Sequence, residues 1–400
     1  MGFVDDEAVE SRIPNPESHL ADLVRDRGPL TVAAFMDLAL YDSEHGYYAR
    51  AVQRSGRTGD FFTSVDVGPL FGALLEAQLA EMAAILRGES QIPAESRIPN
   101  PESRFDLVEA GAGSGRLSAD ILRAAREVDP AFYDAIRLHL VEASGAARAA
   151  QAGTLGEAGD RLASSGPQLA AAFEGALIAN ELLDAMPVHQ VVMREGGLKE
   201  VYVIGDPERV ALHVLEGPPS TPALQDYLDR LGITLEPGWR VEINLRAVEW
   251  VRGVARRLRR GFIILIDYGH EARELYSPTH ADGTLTTFAG HRSAGPESGA
   301  DTPAWLQQPG ERDITAHVDF TSVRDAAEAE GLTTIAFLDQ TYFLMGLLPV
   351  LADPQSALRN PQFKTLIVPG GLGSTHKVLI LGKGVGTPAL LGCSFRVRVT

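Results

Sequence analysis

Short apolar runs alternate with stretches of helical periodicity along most of this chain. Phe105, Leu107 and Val108 form one run, ending in Glu109. Gly111, Gly113 and Gly115 interrupt it, and Leu117, Ile121 and Leu122 then recur at the spacing of one helix face. The pattern predicts a buried strand, a tight turn and a helix. It repeats as a strand over 136–141 ending in Glu142, a helix over 146–155, and a strand over 176–179 ending in Asn180. A helix over 245–258 precedes the most apolar strand, 261–266, which ends at Asp267. Strands over 333–338 and 377–381 enclose a helix over 342–351. Alternation of this kind builds a mostly parallel sheet covered on both faces, an α/β fold.

Around that sheet the pattern changes. Residues 19–40 read as two helices broken at Gly28-Pro29, with Thr31 capping the second, and 41–50 as a turn whose aromatic residues pack on the core. A polar stretch with Asp60, Thr63, Ser64 and Asp66 leads into a helix through Phe71, Leu74 and Leu79; locally it reads as a turn and a helix cap. Two strand-like runs flank Glu195, Gly196 and Gly197 within 188–203 and predict a hairpin. Residues 284–288 and 313–320 predict polar loops or short strands. The chain divides on this reading into an N-terminal helical and lid region (1–103), the first half of a core (104–187), an inserted hairpin with helices (188–260) and the remainder of the core (261–400). The string ESRIPNPES occurs at 10–18 and again at 95–103, with a degenerate copy at 90–93. Its prolines exclude helix or strand interiors, so the copies read as insertions in surface loops.

The glycine turn narrows the ligand. Glycines let the backbone bend sharply and approach a ligand closely, and the N–H groups opening the next helix face that ligand. A dinucleotide fingerprint needs a third glycine at position 116, where this chain has Arg116. The G-x-G-x-G spacing after Glu109 resembles motif I of class I S-adenosylmethionine (SAM) methyltransferases. In a doubly wound sheet an acid ending the second strand lies beside a bound ribose, which singles out Glu142. Asn180, Glu181 and Asp184 gather at another strand end, where such sheets place their chemistry. A helix capped by Asn180, with solvated acids and a stop at Pro187, is the plainer alternative there. His270 follows Asp267 and Tyr268 at a strand end and reads as a site residue; His317 reads equally as structural or functional.

Composition excludes several classes. The chain has 400 residues, 45% of them hydrophobic, and a net charge of −17. That is ample for a packed core, and it lacks the basic face of a nucleic-acid binder. The one basic run, 252–260, falls on a helix and reads as a solvated face. Cys393 is the sole cysteine, so no intrachain disulfide forms, and no cysteine–histidine spacing suggests zinc. No apolar run is long enough to span a bilayer. The acidic N-terminus lacks signal and transit features, so the cytoplasm is the expected compartment.

Taken in order, several stretches resemble the MidA family of SAM-dependent methyltransferases. They are GPLTVAAFMDLALYDSEHGYY (28–48), GDFFTSVDVGPLFGALL (59–75), VEAGAGSGRL (108–117), NELLDAMPVH (180–189), DYGH (267–270) and ITAHVDF (314–320). The resemblance implies a class I methyltransferase (Rossmann-like) fold with an N-terminal helical extension and inserted hairpin and lid elements. It implies protein arginine N-methylation linked to assembly of respiratory complex I, with a complex I core subunit as protein substrate; a homodimer is compatible with it. It also implies that Glu109, Gly111, Gly113, Gly115, Glu142 and Asn180 hold SAM, and that Asp60, Thr63 and Ser64 close over it, reversing the local reading as a mere cap. Glu181 and Asp184 would fix a guanidinium by paired hydrogen bonds. Asp267, Tyr268 and His317 would shape the acceptor wall, and His270 would take the released proton. The chain departs from the family at Ser43 and Val65, where proline is usual, and at Asp66, where glutamate is usual. A SAM-binding assembly factor with little catalysis and a small-molecule methyltransferase stay open as alternatives. Arg116 disfavours a nicotinamide enzyme.

Overall fold

A computed structural model describes residues 16–49, 63–89, 104–206, 211–289, 292–295, 302–351, 353–368 and 371–395. Its centre is a sheet built from β1 (Phe105–Ala110), β2 (Ile136–Val141), β3 (Leu162–Gly166), β4 (Phe173–Asn180), β5 (Leu258–His270), β6 (Thr333–Asp339) and β7 (His376–Lys383). The spatial order is β6-β7-β5-β4-β1-β2-β3. β1 to β5 run parallel to their neighbours among themselves, and β7 is antiparallel to both β5 and β6. The expected mostly parallel α/β sheet is therefore present.

Period-two alternation distributes the strand side chains between two cores. On one face Leu107, Ile178, Phe262, Ile264 and Ile380 pack against the helices Leu70–Arg87, Arg116–Val128 and Gln340–Leu347. On the other, Val108, Leu177, Ile263, Leu265 and Leu379 pack against Leu245–Arg257 and Phe320–Ala329. The helices Leu70–Arg87 and Arg116–Val128 approach so closely that a Cβ on Gly72 would stand 2.6 Å from Asp120 Cβ.

A second sheet carries the insertion. His189–Arg194 and Gly197–Gly205 form the expected hairpin, with Arg194 opposite Gly197. Leu30–Thr31 joins its far edge, so the N-terminal helices pack on the insertion. Thr31 caps the second of them, accepting from the Ala34 N–H at 3.1 Å. Pro16, in the first copy of the repeated string, opens the helix Pro16–Arg27 at its first position, where a missing N–H costs nothing. Residues 16–18 of that copy are therefore helical where a surface-loop insertion was expected, and residues 10–15 and the second copy lie outside the described residues. No described helix is long and apolar enough to cross a membrane.

Three further expectations fail. No strand was read between the helix over 146–155 and the strand over 176–179, yet β3 lies there; its sequence, LASSG, has little apolar character because it is an edge strand paired only with β2. Residues 181–187 form a non-helical turn, so Asn180 caps no helix. β5 does not stop at Asp267 but runs on to His270, where Gly269 and His270 pair with Val318 and Asp319.

Candidate active site

The C-terminal ends of β1, β2 and β4 open into a cleft of ≈ 520 Å³, a size suited to a small-molecule ligand. After β1 the chain turns through Gly111 (φ +72°), Gly113 (φ +51°) and Gly115 (φ +82°), all in the left-handed region that favours glycine. A Cβ on Gly111 would stand 3.0 Å from Leu182 Cδ1, whereas one on Gly113 would meet nothing within 4 Å. Gly113 thus presents bare backbone to the cleft.

This loop is fastened to the end of β2. The Gly111 and Ala112 N–H groups donate to the Val141 carbonyl at 2.9 and 3.1 Å. Gly113 N–H donates to Glu142 Oε2 at 2.8 Å, and Ser144 N–H to Glu142 Oε1 at 2.7 Å. Each carboxylate oxygen keeps a lone pair for a further donor. Buried Gln151 donates to the Gly113 carbonyl at 2.9 Å and accepts from Ser165 Oγ at 2.7 Å. The sequence reading missed Gln151. Its signal was a lone amide on the buried stripe Ala147, Gln151, Leu155 of one helix. Glu109 lines the cleft but turns its carboxylate to Ser118, accepting from that residue's N–H at 3.2 Å and from its hydroxyl. Burial pushes the Glu109 carboxyl up to about 7, against the pull of the Ser118 hydrogen bonds.

The lid segment both caps and clasps. Asp66 accepts from the Thr63 N–H at 3.1 Å and the Thr63 hydroxyl at 2.9 Å, which is the local cap. Its other oxygen takes Arg116 Nη1 at 2.6 Å, and Arg116 Nη2 donates to the Val65 carbonyl at 3.1 Å. The residue that breaks the dinucleotide spacing therefore holds the lid. Thr63 lines the cleft. Ser64 N–H donates to Glu181 Oε1 at 3.3 Å and its hydroxyl to Gln340 Oε1 at 3.1 Å. Asp60 lies outside the described residues.

The turn after β4 gathers acids. Asn180 and Glu181 line the cleft, and Asn180 Nδ2 donates to Glu181 Oε1 at 3.1 Å while its buried Oδ1 has no partner. Glu181 sits at φ +50° without being glycine, a conformation that costs energy and persists where the surroundings fix it. Asp267 supplies much of that fixation. Its Oδ2 accepts from Leu182 and Leu183 N–H at 3.1 and 2.8 Å, and its Oδ1 from Tyr268 N–H at 2.9 Å. Asp267 is thus a positioning residue of the turn, where an acceptor-wall residue was expected. Burial lifts its carboxyl to about 7, with the Leu183 hydrogen bond opposing and the Glu181 charge adding. Asp184 is buried behind the turn and pushed well above the carboxylate range by burial and then by Asp267, Glu181 and Asp313. Burial and then the same acids raise the Tyr268 hydroxyl far above its usual value.

A further residue joins the acids. His376 at the start of β7 is fully buried, with Nδ1 2.9 Å from the Leu372 carbonyl and Nε2 3.4 Å from Glu181 Oε1. A carbonyl only accepts, so Nδ1 donates to it and Nε2 faces Glu181. Nothing local in THKVLIL marks this histidine; the sheet order alone brings it to β4.

His270 and His317 lie apart from the cleft lining. β5 overshoots Asp267 by three residues, which at strand rise carries His270 about 10 Å beyond it. There His270 meets His317 and His280 instead. Burial and then the two neighbouring rings lower His317 to about 4.

The cradle fits a nucleoside carrying an amino-acid tail: bare glycine backbone, a carboxylate with free lone pairs at a ribose position, and an orphaned amide oxygen at Asn180. Comparison with known proteins agrees. Residues 92–338 match the family described as "Putative S-adenosyl-L-methionine-dependent methyltransferase". The mouse mitochondrial protein arginine methyltransferase NDUFAF7 is 30% identical, over 84% of this chain and 76% of its own. Its Drosophila melanogaster homologue is 27% identical, over 90% of this chain and 82% of its own. A Burkholderia thailandensis protein solved with bound S-adenosyl-homocysteine superimposes with a TM-score of 0.79 at 28% identity, over 95% of both chains. The chain belongs to this MidA-like family and is a SAM-dependent methyltransferase.

Proposed function

We propose that the acceptor is a protein arginine, methylated on its guanidinium. The observation that carries this reading is the crowding of Glu181, Asp184, Asp267 and Asp313 behind the cleft, where burial and mutual charge raise Asp184 and Asp267. A cation placed against Glu181 relieves that crowding, and a guanidinium adds paired hydrogen bonds to a carboxylate. The mouse and fly relatives, both named as protein arginine methyltransferases, support the same acceptor class.

SAM supplies an electrophilic methyl group whose bonding pair leaves with sulfur. The chain's own residues do the rest. The glycine loop and Glu142 hold the nucleoside, and the Thr63–Asp66–Arg116 clasp shuts water out. Glu181 orients the guanidinium so that one nitrogen faces the methyl group. As the carbon–nitrogen bond forms, that nitrogen's proton passes to Glu181, with His376 Nε2 behind it as the next acceptor. His376 replaces His270 in this role because it is within reach of Glu181.

The test is transfer of labelled methyl from SAM to proteins of a host lacking this gene product, followed by acid hydrolysis. A complex I core subunit, the acceptor the family resemblance implies, is the first to try. Label recovered as methylarginine is the expected outcome. Label recovered only as methyllysine or in small molecules contradicts the proposal.

A further inference from the structure

We propose that His270, His280 and His317 form a site for a divalent transition ion of the zinc class. It goes beyond methyl transfer and does not depend on the acceptor. The three come from separate elements: the end of β5, the 3-10 turn Pro278–His280, and the link between strands Asp313–Thr315 and Val318–Asp319. Their ring centroids are 4.9, 5.3 and 5.9 Å apart, and one nitrogen from each lies within 4.8 Å of the others. Zinc–imidazole bonds of about 2.0–2.1 Å need nitrogens about 3.3 Å apart, which small rotations of the rings provide.

The environment is that of ligands more than of packing residues. His270 Nδ1 and His317 Nδ1 are buried, and that of His317 has no hydrogen-bond partner. His280 Nδ1 lies 3.0 Å from the Glu274 carbonyl, which fixes its proton there and leaves Nε2 for an ion, the arrangement that orients metal-binding histidines. Glu274 Oε1 stands 3.0 Å from His270 Nδ1, a carboxylate beside the cluster of the kind that orients metal-binding histidines. Three imidazoles suit zinc, nickel or copper and not magnesium or calcium. The spacing hides the site from a sequence search, because the ligands are ten and thirty-seven residues apart. An ion here joins three segments beside the acid turn, since Ala316 N–H donates to the Asp184 carbonyl at 2.9 Å.

The test uses the full chain without a histidine tag, stripped by chelator. Zinc is titrated in competition with a chromophoric chelator, and cobalt is followed by visible absorption. One equivalent of zinc, and a cobalt spectrum of a nitrogen-rich low-coordinate site, are expected. His280→Gln weakens zinc by more than about tenfold while S-adenosyl-homocysteine affinity, read as the sign of a folded chain, is unchanged. His317→Gln is the second variant. Less than one equivalent bound by the wild type, an octahedral aquo-like cobalt spectrum, or zinc binding unchanged in both variants overturns the site.

Discussion

Two turns leave neighbouring parallel strands on the same edge of the sheet, and they are made rigid in opposite ways. The loop after β1 reaches positive φ three times and uses glycine each time, so its shape costs little. The turn after β4 reaches positive φ once, at Glu181, and holds it with side chains: Asp267 on three amides, the Ile266 carbonyl on the Glu181 N–H, and Ser64 and Asn180 on the carboxylate. A cofactor cradle needs exposed backbone, which glycine gives. The acceptor site proposed at the second turn needs a carboxylate aimed at one point, and only a residue with a side chain supplies it.

Substitutions can break this contrast, and the largest effect is expected at Glu181. Glu181→Gln keeps size but removes the charge and the proton acceptor; turnover should fall by about 10³-fold, or about 4 kcal/mol of barrier. S-adenosyl-homocysteine affinity, measured calorimetrically, should move little. Asp267→Ala strands the amides of Leu182, Leu183 and Tyr268, and denaturant unfolding should show a loss of about 3 kcal/mol. If it were harmless, the β4 turn would hold its strained shape without that support.

The next effect depends on pH. The Glu109 carboxyl is raised from 4.5 to about 7 in the folded chain, so the native state binds the extra proton. Stability on its account is full below about 4.5, falls as pH rises to about 7, and stays lower above that, by about 3 kcal/mol. Glu109→Gln should flatten this part of the Tm–pH profile and gain on the wild type above neutrality; parallel profiles would contradict the assignment. The smallest effect is expected at Gly113, where a Cβ meets nothing and only φ is strained. Gly113→Ala should cost about 1 kcal/mol of stability. Gly111→Ala, which also meets Leu182, should cost more in the same unfolding assay.

What the sequence disclosed follows the same division. The glycine loop was legible because its requirement is local: each glycine answers its own φ, and the strand and helix around it have clear periods. Glu142 was legible from its place after a strand. The acid turn was only half legible. Asn180 and Glu181 line the cleft as expected, but the work of Asp267 depends on β5 lying beside β4. His376 was invisible because β7 inserts antiparallel between β5 and β6, a placement no local pattern announces. His270 was misplaced by reading the strand end from apolarity alone; Tyr268 continues β5 by pairing with His376, and Gly269 and His270 by pairing with Val318 and Asp319. The cap at Thr63 was legible, since Asp66 is three residues on; the grip of its other oxygen on Arg116, fifty residues away, was not.

The most direct measurement is calorimetry of S-adenosyl-homocysteine binding to the wild type and to Glu142→Gln. The account expects one equivalent bound by the wild type. It expects affinity at least about tenfold lower in the variant, because the amide cannot serve the Gly113 and Ser144 N–H groups and the ribose hydroxyls together. Equal affinity in the two chains, or no binding by the wild type, would contradict it.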